Sequence, residues 1–304
     1  MLTISACSAK ELNCALRSGC FRLHLGDIAL KISSIIPEFN TAFRQLYADH
    51  PVSLTGGGYD FDIAISPPSW WRRWFRRNAT FEFCGDTPFL PMEVGHAHAM
   101  FEWGLNWAIA SFLHNYLVLH SAVVEWKGKG VLLSAVSGSG KSTLSAELLL
   151  CGWRLLSDEL ALIDDDLKLI PLARPVSLKN SSIDLIRSRH PSAIWGPLAK
   201  ETHKGTVAHL KAPSSSVEKN LVPAIPKLII FPKWTENSPL RIEPVGAGQA
   251  ALRLIDQAFN YSILGVDGFE RLVALVRTAE AWEIEYSSLD EARGALEDLV
   301  FERG

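Results

Sequence analysis

The residues with the clearest chemical potential are consecutive: Ala135-Val136-Ser137-Gly138-Ser139-Gly140-Lys141-Ser142, followed by Thr143. Apart from Ala135, which stands at the first glycine, they fit the pattern Gly, four residues, Gly-Lys-Ser/Thr. Such a loop turns successive backbone N–H groups into a concavity that binds phosphate oxygens. Gly138 and Gly140 supply backbone angles that other residues rarely adopt. The helix that follows adds about half a positive charge at its N-terminus. Lys141 is placed to reach the β- and γ-phosphates of a nucleoside triphosphate, and the Ser142 hydroxyl to meet its Mg²⁺. Ala135 is a mild departure, because the first glycine mainly permits a tight turn. A second group of reactive residues follows at Ser157-Asp158-Glu159, and His120 precedes the loop. A carboxylate such as Asp158 can accept a proton from an attacking hydroxyl or hold a metal ion.

The elements needed to present these groups are legible around them. Val131 to Ala135 reads as a buried strand, Lys141 to Cys151 as a helix with Gly152 placed like a C-cap, and Arg154 to Ile163 as the next strand. Leu117 to Glu125 reads as a strand before the loop, and Ala97 to Leu117 as a largely buried helix. Further on, Lys227 to Phe231 and Trp282 to Tyr286 read as strands. Helices are expected near Gly248 to Phe259, near Gly268 to Ala279 and after Ser288. The first 95 residues read as short strands and turns with little helix, including a hairpin of Phe21 to Leu25 and Ile28 to Ile32 around Gly26-Asp27. Ser192 to Val222 is polar and reads as long loops, in the manner of a lid.

From His120 to Glu159 the sequence resembles the catalytic domain of HPr kinase/phosphorylases. The resemblance is carried by His120-Ser121-Ala122-Val123-Val124, Gly130-Val131-Leu132-Leu133, Ser137 to Thr143, and Trp153-Arg154-Leu155-Leu156-Ser157-Asp158-Glu159. Arg174 to Asn180 and Thr202-His203-Lys204-Gly205-Thr206 look like an HPr-kinase-related subgroup. The resemblance does not cover residues 1 to 95. It implies an α/β fold for 106–304, a P-loop domain of the HPr kinase C-terminal, PEP-carboxykinase-like type; the pattern of short strands and turns, not the resemblance, gives a smaller β-rich domain at 1–105, expected to select substrate. The resemblance also implies a kinase that moves the γ-phosphoryl group of ATP, with Mg²⁺, to a hydroxyl, typically serine of a protein or peptide. In that reading Asp158 is the catalytic base, His120 sits beside the phosphates, and Lys141 neutralises charge. Ser142, Asp158 and Glu159 hold the metal, and Ala135, Ser137, Gly138, Ser139, Gly140, Lys141, Ser142 and Thr143 bind the nucleotide. The rival readings are a small-molecule hydroxyl kinase, a hydrolysing ATPase and an ATP-regulated binding protein. A homo-oligomer is compatible with the family.

The rest of the composition narrows the setting. The chain has 304 residues, 48% of them hydrophobic, enough for one large or two modest cores. A net charge of −3 gives no basic footprint for nucleic acid. Five cysteines, at 7, 14, 20, 84 and 151, form no Cys-x-x-Cys pair, which points to a reducing compartment. With no signal-peptide pattern and no uninterrupted apolar span of about 18 residues, a cytoplasmic protein without stable membrane insertion is expected. Trp70-Trp71-Arg72-Arg73-Trp74-Phe75-Arg76-Arg77 reads first as an element edge with buried tryptophan and outward arginine, with a patch for a partner or for nucleic acid as the alternatives. His96, His98 and His114 lack metal-ligand spacing. Arg174 and Lys179, and separately His203 and Lys204, are candidates to approach the phosphates.

Overall fold

A computed structural model describes residues 2–68, 77–136 and 138–303. The Trp/Arg run lies outside the described residues except for Arg77, whose guanidinium pairs with Glu38, Nη1 to Oε1 at 2.7 Å and Nη2 to Oε2 at 3.1 Å. The chain is a mixed α/β protein that divides into two compact units, one of residues 1–108 and 174–218, the other of 109–173 and 219–304. The segment 174–218, placed by sequence in the second domain, clusters instead with the first unit.

The first unit is built on a six-stranded sheet in the order Val52–Ser53, Arg22–Leu25, Ile28–Ser34, Phe61–Ser66, Asn78–Phe83, Met92–Glu93. The expected hairpin is present, with Leu25 opposite Ile28 across Gly26-Asp27. This unit is not poor in helix. Ala9–Ser18 is a helix opened by a capping box: Ser8 Oγ accepts from Glu11 N at 3.2 Å, and Ser8 N donates to Glu11 Oε2 at 2.9 Å. Pro37–Leu46 is a second helix, with proline in its first turn. It lies in the connection between Ile28–Ser34 and Phe61–Ser66, which pair in parallel and so need a crossover. The polar stretch expected as loops holds the strands Ala199–Thr202 and Gly205–Leu210 and the short helix Ser214–Glu218. Gly205–Leu210 pairs with both Ala199–Thr202 and Val176–Lys179. The β-branched Thr202, Thr206 and Val207, with the ladder to Val176–Lys179, outweigh the turn-forming composition there.

The second unit is organised around a sheet in the order Arg154–Ser157, Ser121–Trp126, Lys129–Ser134, Ile225–Trp234, Glu280–Tyr286, Arg241–Val245. Three successive strands, Lys129–Ser134, Ile225–Trp234 and Glu280–Tyr286, are mutually parallel, and the remaining pairings are antiparallel. One face, with Val123, Leu132, Ile229, Phe231 and Ala281, packs with Leu254, Leu272 and Leu275 from the helices Ala247–Ile255 and Val266–Thr278. The alternate residues Ala122, Val124, Val131 and Leu133 are also buried, so the sheet is covered on both sides, as a parallel core requires. On that second side the helix Lys141–Leu150 packs against Ser121–Trp126 and Lys129–Ser134, and the last helix, Leu289–Arg303, packs on it in turn.

Two long strands expected from sequence are each broken. Leu117 to Glu125 becomes Leu117–Leu119 and Ser121–Trp126, which belong to different sheets. Arg154 to Ile163 becomes Arg154–Ser157 and Ala161–Ile163. The second break matters, because it creates the bend that holds Asp158 and Glu159.

Candidate active site

All three parallel strands end at the same edge of the second unit's sheet, at Ser134, Trp234 and Tyr286. In open α/β sheets the carboxyl ends of parallel strands are where ligands bind. Ser134 runs into the glycine-rich loop, and the helix Lys141–Leu150 begins where the loop ends. Gly138 and Gly140 adopt φ of +91° and +90°, the left-handed region that the sequence required of them. Ala135 is not among the residues with positive φ, which explains why alanine serves there without strain. The helix closes with a Schellman arrangement: Trp153 N donates to Leu148 O at 3.0 Å and Gly152 N to Leu149 O at 3.3 Å.

Two aromatic residues far away in sequence fix the loop. Trp234 N donates to Ser139 O at 2.9 Å, and the Tyr286 hydroxyl donates to Gly140 O at 3.4 Å. Burial pushes the Tyr286 hydroxyl above its ordinary range, so it stays a donor. A Cβ on Gly140 would stand 2.8 Å from Tyr286 Oη and 2.9 Å from Trp234 Cβ, so only glycine fits. Thr235 N donates to Tyr286 O at 2.9 Å and Trp234 Nε1 to Ser287 O at 3.3 Å, which joins the ends of the two strands beneath the loop. Neither aromatic was singled out from sequence.

Lys141 is buried, and its Nζ donates to the backbone carbonyl of Asp158 at 3.3 Å. The loop lysine and the Ser157–Glu159 bend therefore meet. The bend is shaped by Ser157 Oγ, which accepts from Leu160 N at 3.1 Å. Asp158 is buried and Glu159 half-buried. Because Arg154–Ser157 is antiparallel to Ser121–Trp126, which is antiparallel to Lys129–Ser134, the bend falls at the same edge as the loop. The strand that leads into the bend is anchored at its start: Arg154 pairs with Glu125 and donates to Lys219 O at 2.7 Å. His120 lies just before Ser121–Trp126, at that edge as well. Its backbone N donates to Gln257 O at 2.7 Å, and its ring centroid is 5.9 Å from that of Phe259. Ser142 and Thr143, in the first turn of the helix, are half-buried, while Val136 and Gly138 are exposed. Ser137 lies outside the described residues. The hydroxyls of Ser121 and Ser134, directly opposite one another across two strands, and of Ser139 are buried without a hydrogen-bond partner among the described residues.

The other candidates belong to the first unit. Arg174 is buried there, with Nη1 3.1 Å from Glu102 Oε2 and Nη2 on Asn106 Oδ1. Its guanidinium is thus committed to an internal network, a use that sequence spacing could not show. Lys179 ends the strand Val176–Lys179. His203 and Lys204 form a hairpin turn against Trp103: the His203 ring centroid is 5.1 Å from the indole, and Lys204 Nζ is also 5.1 Å from it. His98 is buried beside Glu102 and His209.

No family model and no curated protein matches the chain. Among solved structures it is similar to the Hpr(Ser) kinase/phosphatase from Coxiella burnetii, at 14% identity over 60% of this chain and 93% of that one, with a TM-score of 0.25. A likeness of that degree assigns neither family nor activity. Among the described residues, no helix is long and apolar enough to cross a membrane.

Proposed function

We propose that the second unit is an ATP- and Mg²⁺-dependent phosphotransferase that moves the γ-phosphoryl group to a hydroxyl, with serine of a protein or peptide as the acceptor. The observation that carries this reading is the meeting of Lys141 with the Asp158 bend at the edge where the glycine-rich loop opens into a helix N-terminus. The residues present suit a triphosphate. The loop offers backbone N–H groups and a helix N-terminus, Gly140 keeps the backbone free of a Cβ, and Lys141 reaches the backbone of the bend that carries Asp158 and Glu159. Lys141 and the loop N–H groups would hold the phosphates. Ser142, with Asp158 and Glu159, would hold Mg²⁺, which when bound supplies charge neutralisation for phosphoryl transfer. Asp158 accepts the proton of the acceptor hydroxyl as the new O–P bond forms and ADP leaves. His120, at the same edge, lies in position to orient the acceptor.

The reading is tested by incubating the full chain with γ-labelled ATP and cell extract. Wild type is expected to label a protein or peptide. Asp158→Asn should lower transfer by about 10²–10⁴-fold while keeping ATP binding. Lys141→Ala should lower it by about 10²-fold or more. Label on a small metabolite would make the enzyme a small-molecule kinase. Release of free phosphate alone, unchanged by Asp158→Asn, would overturn the proposal in favour of an ATPase.

A further inference from the structure

The sheet of the second unit gives a bound nucleotide a direction. Along its carboxyl edge the order is the Asp158 bend, the start of Ser121–Trp126, the glycine-rich loop after Lys129–Ser134, then the ends of Ile225–Trp234 and Glu280–Tyr286. Lys141 leaves the loop toward the bend, where its Nζ donates to Asp158 O at 3.3 Å. A triphosphate with its γ-phosphate on that side runs its ribose and base the other way, over the strand that lies about 4.8 Å beyond the loop strand. The residue at the end of that strand is Trp234.

Trp234 is held in place and yet open to solvent. Its backbone N donates to Ser139 O at 2.9 Å, and its Nε1 donates to Ser287 O at 3.3 Å. Its Cβ stands 2.9 Å from where a Cβ on Gly140 would lie. Trp234 pairs with Tyr286 across parallel strands, so both side chains leave the sheet on one face, and the Tyr286 hydroxyl reaches Gly140 O. Tyr286 is fully buried, whereas Trp234 is 48% exposed. Among the described residues no aromatic ring stacks on its indole and no cation faces it, whereas Trp126 and Trp153 stack on each other at 5.2 Å. Single exposed apolar side chains are common on protein surfaces. Position beside the loop and fixation at backbone, Cβ and Nε1 set this one apart. An indole already ordered in this way loses little side-chain entropy when a flat ring settles on it.

We infer that the Trp234 indole is the platform on which the adenine ring of ATP stacks, an inference that rests on the phosphates lying in the loop as proposed above. Its Nε1 is engaged by Ser287 O, so the indole offers the base a π-face and no hydrogen-bonding edge. Base–aromatic stacking contributes about 5–150-fold in affinity. The loop and Lys141 then hold the phosphates, and Trp234, on the side away from Asp158, holds the base.

The test is isothermal titration calorimetry of the full chain, with Mg²⁺, against ATP and against tripolyphosphate, which carries the phosphates without the base. Trp234→Leu should weaken ATP by about tenfold and leave tripolyphosphate within about twofold of wild type. Trp234→Phe should hold ATP within about threefold of wild type. Both variants keep the Cβ and the backbone N–H to Ser139, and both lose the Nε1 bond to Ser287, so the difference between them reads the aromatic face. Circular dichroism would verify that both keep the fold. ATP, but not tripolyphosphate, should also quench tryptophan fluorescence in wild type, and Trp234→Phe should remove that quenching. Equal weakening of ATP and tripolyphosphate by Trp234→Leu would overturn the inference and leave Trp234 as a support of the loop. No loss of ATP affinity in Trp234→Leu would overturn it too, by placing the base elsewhere, and in both cases the phosphate site stands. Failure of the wild type to bind either ligand would instead remove the phosphate site proposed above, and the inference with it.

Discussion

Gly140 shows how one atom can decide whether the loop forms. Its φ of +90° is costly for any other residue, and the space for a Cβ is taken by Tyr286 Oη at 2.8 Å and Trp234 Cβ at 2.9 Å. Gly140→Ala should therefore destabilise the second unit by about 1–3 kcal/mol through combined strain and overpacking. Nucleotide-induced thermal stabilisation should be lost at the same time. Adding Tyr286→Phe removes the closest atom but leaves φ and Trp234, so a partial recovery of the melting temperature is expected. Thermal melts of the single and double variants, with and without ATP and Mg²⁺, check this. Full tolerance of alanine would show that the loop moves freely past Tyr286. At this scale the sequence was informative where chemistry is local: the need for positive φ at Gly138 and Gly140 follows from eight consecutive residues. It was silent on Tyr286 and Trp234, because their contact with the loop spans 146 and 95 residues of chain, and no local pattern encodes such packing.

At the scale of elements, periodic segments were readable and irregular joins were not. The helix Lys141–Leu150 and its strand follow from apolar runs bounded by glycine. The helix Ala9–Ser18 carried a readable signal, Ser8 and Glu11 three apart, but its weak apolar content masked it. The break at Ser157–Glu159 could not be read, because Leu155, Leu156, Leu160 and Ala161 look like one buried strand. The helix Ala97–Phe112 was read correctly as buried, but not that it carries an ionic network. Within the first unit, Glu102 accepts from Tyr47 Oη at 2.7 Å and pairs with Arg174, while His98 Nε2 stands 3.3 Å from it. His98 is enclosed by Phe39, Tyr47, Phe101 and His209. Burial, reinforced by His209, holds its pKa well below the ordinary 6.5. Because Arg174 and Tyr47 already engage Glu102, the carboxylate does not reverse that. The unfolded chain thus binds a proton that the folded chain refuses. The stability is complete above about pH 6.5 and falls as pH drops below it, by at most about 1.4 kcal/mol per pH unit from this group. Denaturant titrations between pH 7 and 5 should show a shallower loss in His98→Phe than in wild type. An equal slope in both would mean that His98 is protonated in the folded protein.

At the scale of the whole chain, the path of the backbone defines what can be separated. The second unit is interrupted: the chain leaves it after Ala173 and returns at Lys219. Within that unit the two ends are adjacent, since Ala173 N donates to the buried Asn220 Oδ1 at 2.9 Å. The excursion between them supplies the first unit with Arg174, the partner of Glu102, and Lys211, the partner of Asp49. A cut at the boundary suggested by sequence would therefore fail in a specific way. A fragment of residues 1–105 would leave Glu102 buried without its guanidinium, a loss of about 3–5 kcal/mol by itself and enough to unfold a marginal domain. Residues 109–173 joined to 219–304 by a short Gly/Ser linker should instead fold, because every strand of the six-stranded sheet, the loop, Lys141, Asp158, Trp234 and Tyr286 are retained. Closing so short a gap costs little loop entropy. Circular dichroism should show a cooperative melt for the joined fragment, and ATP with Mg²⁺ should raise its midpoint as binding to the folded state requires. Lys141→Ala in the same fragment should abolish that rise. If the joined fragment is unfolded, the second unit depends on the first for its stability; if it folds but ignores nucleotide, the loop alone does not make the site.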